Sequence, residues 1–335
     1  MQKRDDPLPL WRNVYYPPVG YQYFERPAAF AASPLVGKFN LLKAAWMADA
    51  AMLAYGRSGE RAMSQGEVTA FLKNAGFGDP AWLGDWSEGG KGTQGYFAYT
   101  KDFAVLAFRG TEKSDTRDLI ADVKTWSKAE SVATHTPVPA VSGSLLEAVA
   151  GALGATQPRV HGGFRDALDE VWEDASRLLN EYREKTQNEI FFTGHSLGAA
   201  LATLAISRFT GGNASLYTIG SPRTGNRAFA AKLCDRATLG EFRLVDNHDL
   251  VTRVPPAELG FSHGAGNFYR LDEHGALEDH KGDPGEGPGG RDEFARDLKA
   301  LAALRFPIKL DARPPDDLYD HSPGRYCNRL WRLLP

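Results

Sequence analysis

The chain has 335 residues, 42% hydrophobic and 24% charged, enough to bury a large core without disulfide or metal staples. Its 39 Lys and Arg against 42 Asp and Glu give a net charge of −3, which excludes a strongly basic, dedicated nucleic-acid binder. No apolar run reaches the roughly 18 residues of a membrane-crossing helix, and Cys234 and Cys327 sit in no CxxC or Cys/His cluster of zinc spacing.

Those two cysteines leave two alternatives, one disulfide or two free thiols. At about 150 residues per domain, the length alone suggests two domains. The opening MQKRDDPLPLWRN has positive charges but no apolar stretch behind them. No ordinary secretory signal is visible, so the sequence reads as cytoplasmic or exported by a non-classical route.

In chain order, residues 1–34 are rich in Pro and aromatics and read as an irregular arm lying on the body. Leu41–Tyr55 reads as a helix ended by Gly56 at a C′ position. Ser64–Ala75 is a second helix, with Ser64 and Glu67 placed for a capping box. Gly95–Tyr99 and Phe103–Phe108 read as strands around a Lys101-Asp102 turn, the second so apolar that it belongs in the middle of a sheet. Val160–Leu179 begins as a loop and becomes a helix. Glu189–Thr193, Ser215–Gly220, Phe242–Asp246 and a last short strand, Phe268–Leu271, alternate with helices near Ala199–Phe209 and Arg227–Asp235. That alternation predicts an α/β fold, a mostly parallel central sheet flanked by helices. Residues 279–292, rich in Gly and charge, read as a mobile surface loop.

Chemistry enters at Gly194-His195-Ser196-Leu197-Gly198. This pentapeptide joins the apolar strand before it to the Ala-rich helix after it, the strand–turn–helix setting of a G-x-S-x-G nucleophile elbow. The two glycines allow strand and helix to approach where a Cβ would collide. The helix N-terminus then offers amide hydrogens to a developing oxyanion, the Leu197 amide first.

Phe191–Ala202 resembles the nucleophile segment of the class 3 lipases, the fungal-type triacylglycerol lipases of the α/β-hydrolase superfamily. Other stretches are similar in the same order: Ala107–Thr111 to the oxyanion loop, Asp118–Asp122 to the segment after it, and Val160–Phe164 to a V-H-x-G-F stretch. Gly220–Asn226 is similar to a G-x-P-R-x-G-N stretch, and Asn247–Val251 with Val254–Pro256 to the acid segment. The resemblance covers roughly residues 95–325. It implies one α/β-hydrolase domain over 1–335, with an N-terminal extension 1–34 and a helical lid region within 114–159.

A serine hydroxyl needs a base, and the base needs an orienting carboxylate. In this fold the chain order is Ser, acid, His. Asp246 and Asp249 both lie where the Phe242–Asp246 strand ends. The resemblance puts the acid at Asp249 and leaves Asp246 as a turn-capping residue. Of the histidines after Ser196, His248 adjoins the acid and cannot fold back on it, while His274 and His280 lie beside the polar loop. His263 precedes the last strand, whereas His321 follows it. The resemblance makes His321 the base, with a tyrosine nearby, and His263 structural. It also assigns Thr111 as the second oxyanion donor beside Leu197, and Arg109 reads as structural.

Residues 116–127 set Leu119, Ile120, Val123 and Trp126 on one helical face. Periodicity alone makes this a surface helix, and the resemblance makes it a lid. Leu145, Leu146, Val149 and Leu153 suggest a second lid element. The implied function is a serine carboxylester hydrolase, a lipase cleaving acylglycerols at a lipid–water interface. No cofactor, metal or protein partner is implied, and peripheral contact with membranes or micelles is expected. Phospholipase A1 or feruloyl-type esterase activity on the same scaffold is the alternative, and an inactive lipid-binding module is a remoter one.

Overall fold

The computed structural model describes residues 20–31, 37–56, 63–87, 90–110, 129–131, 157–255, 257, 260–264, 267–280, 314 and 316–335. The described strands are β1 (Ala81–Leu83), β2 (Gly95–Tyr99), β3 (Phe103–Phe108), β4 (Ala129–Ser131), β5 (Arg159–His161) and β6 (Glu189–His195). They continue with β7 (Ala214–Ile219), β8 (Gly225–Asn226), β9 (Gly240–Asp246), β10 (Phe261–Ser262), β11 (Phe268–Leu271) and β12 (Leu277–His280). The helices are α1 (Pro27–Ala31), α2 (Leu41–Leu53), α3 (Gln65–Asn74), α4 (Gly162–Asp169), α5 (Trp172–Lys185), α6 (Leu197–Arg208), α7 (Arg227–Leu233), α8 (Asp316–Tyr319) and α9 (Pro323–Arg332). None of the described helices is long and apolar enough to cross a membrane.

Eight strands form the main sheet in the order β1-β2-β3-β6-β7-β9-β11-β12. From β3 through β11 every pairing is parallel, and both margins are closed by antiparallel strands. Side chains alternate across it with the strand period of two. Phe103, Val105, Ala107 and Phe191 face one core, while Ala104, Leu106, Phe108, Ile190 and Phe192 face the other. Being covered on both faces is why β3 and β6 read as continuous apolar runs rather than alternating ones.

The first core is covered by α2, α3, α9 and the segment from Phe24 to Phe30, and it is rich in aromatic rings, with Phe30 stacked on Trp46 at 4.2 Å between centroids. Asp49 of α2 is fully buried within it. It accepts hydrogen bonds from the Tyr21 hydroxyl (2.5 Å), the Phe24 amide (2.7 Å) and the Trp331 indole (3.1 Å). One carboxyl group therefore ties the N-terminal segment and α9 to α2. The second core, under α4 to α7, is mostly aliphatic.

Several expectations are revised. Gly56 does not adopt a left-handed conformation. It is confined by packing, because a Cβ there would lie 2.7 Å from Val68 Cγ2. The capping box of Ser64 and Glu67 is present, and Gly76 is left-handed after α3. The supposed loop at Val160 is β5, part of a second, antiparallel sheet of order β10-β8-β5-β4. The two ends of the stretch 129–159 thus pair with each other, Glu130 opposite Val160. Phe268–Leu271 is not the last strand, since β12 returns antiparallel beside it and takes up Asp279 and His280 from the expected loop. Part of the expected irregular arm is the short helix α1. Cys234 is exposed and Cys327 buried, both as free thiols. The amphipathic stretch 116–127, the second lid element at 145–153 and most of the loop after 280 lie outside the described residues.

Candidate active site

Ser196 is the single residue between the end of β6 and the start of α6. Its backbone sits at φ 58°, ψ −129°, a strained conformation for a residue with a side chain. Sterics explain the flanking glycines. A Cβ on Gly194 would lie 2.2 Å from the Gly198 carbonyl carbon, and one on Gly198 would lie 2.3 Å from the Phe108 carbonyl oxygen. The elbow therefore presses on the end of β3, where the chain runs on through Arg109 and Gly110 toward Thr111. Thr111 itself lies outside the described residues. Leu197 opens α6, so its amide is among those with no partner inside the helix.

Asp249 and His321 arrive from distant parts of the chain. Asp249 follows β9 and begins a 3-10 turn over Leu250–Arg253. His321 sits between α8 and α9. Its Nδ1–H donates to Asp249 Oδ2 at 2.9 Å, and both side chains are buried. Asp249 also accepts from the Val251 amide at 2.9 Å and from the Tyr326 hydroxyl at 2.7 Å. Gly220, one residue past β7, is left-handed at φ +56°. A Cβ there would come within 2.7 Å of Asp249 Oδ2 and 3.1 Å of His321 Nδ1. The Ser196 amide donates to the Ile219 carbonyl at 3.0 Å, so elbow and Asp–His pair meet across the end of β7. Ser196 Oγ and His321 Nε2 are both buried and have no hydrogen-bond partner among the described residues.

Around this pair lies a charged frame that sequence reasoning did not assemble. Asp246 is buried and bonded to Arg325 Nε at 2.8 Å and to Arg329, far from the turn cap expected of it. Burial outweighs the two arginines and pushes its carboxyl up to about 7. Asp320, beside His321, accepts from the Asn247 side chain (3.0 Å) and the His248 amide (3.2 Å) and pairs with Arg325 at 3.1 Å. It therefore fastens the loop of Asp249 to that of His321. Burial raises its carboxyl as well.

The other histidines lie elsewhere. His263 Nε2 donates to the Thr252 carbonyl at 2.7 Å and braces the turn after Asp249. His248 and His274 are exposed, and His280 stacks on Phe268. Arg109 reaches the Gly92 carbonyl at 3.5 Å. His195, the variable position of the elbow motif, is fully buried beside His321, with ring centroids 4.4 Å apart. Nothing in the motif marks it. Tyr326 could have been suspected only as the tyrosine near the base.

The class 3 lipase family model matches residues 105–259. Over that stretch the chain is similar to this family. Over 119 residues the chain is 36% identical to a secreted mono- and diacylglycerol lipase of Malassezia restricta, covering 33% of the chain and 39% of the relative. Over 183 residues it is 31% identical to secreted mono- and diacylglycerol lipase A of Penicillium cyclopium, covering 53% and 52%. The chain spans about half or less of the length of these curated relatives. A crystal structure of a mono- and diacylglycerol lipase from Aspergillus oryzae aligns with a TM-score of 0.55 at 20% identity, over 78% of this chain and 95% of that one. The common fold is the α/β-hydrolase fold. Ser196 and Asp249 fall inside the family match, whereas Tyr55, His321 and Tyr326 fall outside it.

Proposed function

We propose that the chain is a serine carboxylester hydrolase that cleaves acylglycerol esters through an acyl-enzyme. The observation that carries this reading is the buried Asp249–His321 hydrogen bond set against an elbow serine at positive φ. With Nδ1–H committed to Asp249, the His321 Nε2 lone pair is available to accept a proton. Ser196 Oγ attacks the ester carbonyl carbon while its proton passes to Nε2, and Asp249 stabilises the imidazolium. The amides of Leu197 and Thr111 hold the oxyanion, where one lost donor typically costs ~3 kcal/mol. Collapse breaks the ester C–O bond, and the leaving alcohol takes the proton from His321. Water, deprotonated by the same histidine, then attacks the acyl-enzyme and releases the fatty acid.

In this reading residues 116–127, whose apolar positions recur at helical spacing, supply the lid that the family resemblance implies. The relatives named as secreted support an exported enzyme. Activity confined to the cytosol of the producing cell would overturn export. The main test is hydrolysis of triacylglycerols of graded chain length, monomeric against emulsified, beside labelling by a fluorophosphonate. Ser196→Ala is expected to lose labelling and roughly 10³-fold or more in turnover. A Ser196→Ala protein with full activity would refute the mechanism.

A further inference from the structure

Tyr55 closes the turn after α2, in a part of the chain far in sequence from the elbow. Its hydroxyl lies 2.9 Å from His195 Nδ1, and the opposite ring nitrogen, Nε2, lies 2.8 Å from the backbone carbonyl of His321. A carbonyl only accepts, so Nε2 carries the hydrogen. Complete burial, with His321 beside it, holds the His195 pKa well below the ordinary range, so the ring carries a single proton. Nδ1 is then an acceptor, and the Tyr55 hydroxyl is the donor that selects this tautomer. The same hydroxyl touches the start of the oxyanion loop: a Cβ on Gly110 would lie 2.0 Å from Tyr55 Oη and 2.5 Å from the His195 carbonyl oxygen.

We propose that Tyr55 and His195 are positioning residues, a two-step hydrogen-bond strut from α2 that holds the backbone of the base His321 against the elbow and seats Gly110 of the oxyanion loop. This rests on the hydrolase reading above. Tyr55 reaches His321 only through His195, which bonds to the His321 backbone and packs beside its ring. Their effect is on the distance between Ser196 and His321, and a displacement near 1 Å there can cost about a hundredfold in rate. The strut thereby couples α2 to the placement of both the base and the oxyanion donors.

The test uses the full chain and a monomeric ester, p-nitrophenyl butyrate, with fluorophosphonate labelling of Ser196 as a second readout. A Gln side chain can set an amide donor where Nε2 stands, whereas Asn is too short to reach the His321 carbonyl. His195→Asn is expected to lower kcat roughly thirtyfold and slow labelling in parallel, with KM within about twofold. His195→Gln should stay within about threefold of wild type. Tyr55→Phe should lower kcat about fivefold, as for one lost hydrogen bond, and should add nothing further in the His195→Gln background.

Equal kcat for the Asn and Gln variants would overturn the strut, as would a Tyr55→Phe effect confined to KM. If His195→Asn does not fold, Tyr55→Phe and the double variant decide alone. Wild-type rates in these variants beside a dead Ser196→Ala would sink the strut and leave the hydrolase reading standing. Full activity of Ser196→Ala would sink that reading instead.

Discussion

The two faces of the sheet are built differently. The face under α4 to α7 comes largely from one continuous stretch, residues 162–233, whose helices cross over between neighbouring strands and pack on aliphatic side chains. The opposite face is assembled from the two ends of the described chain. There α2, the Phe24–Phe30 segment and α9 meet around aromatic rings and one buried carboxyl group, Asp49. Local chain continuity suffices for the first face. The second requires contacts between residues nearly three hundred apart, and it is this face that carries Tyr55 and delivers His321 at the start of α9. The proposed site is thus half local and half remote: Ser196 is delivered by a single strand–turn–helix, His321 by the docking of a terminal helix.

The sharpest probe of that seam is Gly220. An alanine there meets both Asp249 and His321 and must also hold a positive φ, so Gly220→Ala should lower kcat about a hundredfold or more. Gly212→Ala is the control. It has the same sign of φ but no atom within 4 Å of a new Cβ. It should cost only about 1–2 kcal/mol of stability and leave kcat of the folded protein unchanged. Equal kinetic losses in both would show that backbone strain, not crowding of the Asp–His pair, governs the seam.

Next in size is a comparison of the faces themselves. Asp49→Ala strands three donors, two of them buried, and should destabilise by about 3–5 kcal/mol in chemical unfolding, with kcat also falling as α9 loosens. Leu179→Ala, fully buried in the other core, should cost about 2–5 kcal/mol with kcat per folded molecule unchanged. A kinetic effect from Leu179→Ala matching that of Asp49→Ala would remove the functional distinction between the faces.

The smallest effect concerns pH. The folded chain holds the Asp246 proton up to about pH 7, whereas an unfolded aspartate releases it near 3.8. Asp246 therefore contributes stability that is intact below about pH 4 and is lost as pH rises through 7. Asp246→Asn removes this titration and should flatten the fall of the denaturant midpoint between pH 4 and 8. It should also lower the midpoint overall, since an amide NH2 cannot accept as the second carboxyl oxygen does, and Arg325 or Arg329 loses its partner. An unchanged slope would mean that Asp246 titrates alike in both states.

The sequence by itself determined the central strands, the elbow and the parallel α/β character, because each rests on short-range physics. Continuous apolar runs mark strands buried on both faces, and only glycine fits where the elbow's strand and helix close to within a Cβ's radius. The order nucleophile, acid, base placed Asp249 and His321 after Ser196, and the family resemblance singled them out. Tertiary structure alone decided the rest. The hydrogen bond from His321 to Asp249 joins residues 72 apart, the one from Tyr55 to His195 joins residues 140 apart, and Trp331 reaches Asp49 across 282. Polar groups at such separations leave no periodicity in the chain. Their partners exist only because burial removes water and makes a donor without an acceptor costly. So it was that Asp246 proved to be the anchor of α9, and His195, a variable position in the motif, the neighbour of the base.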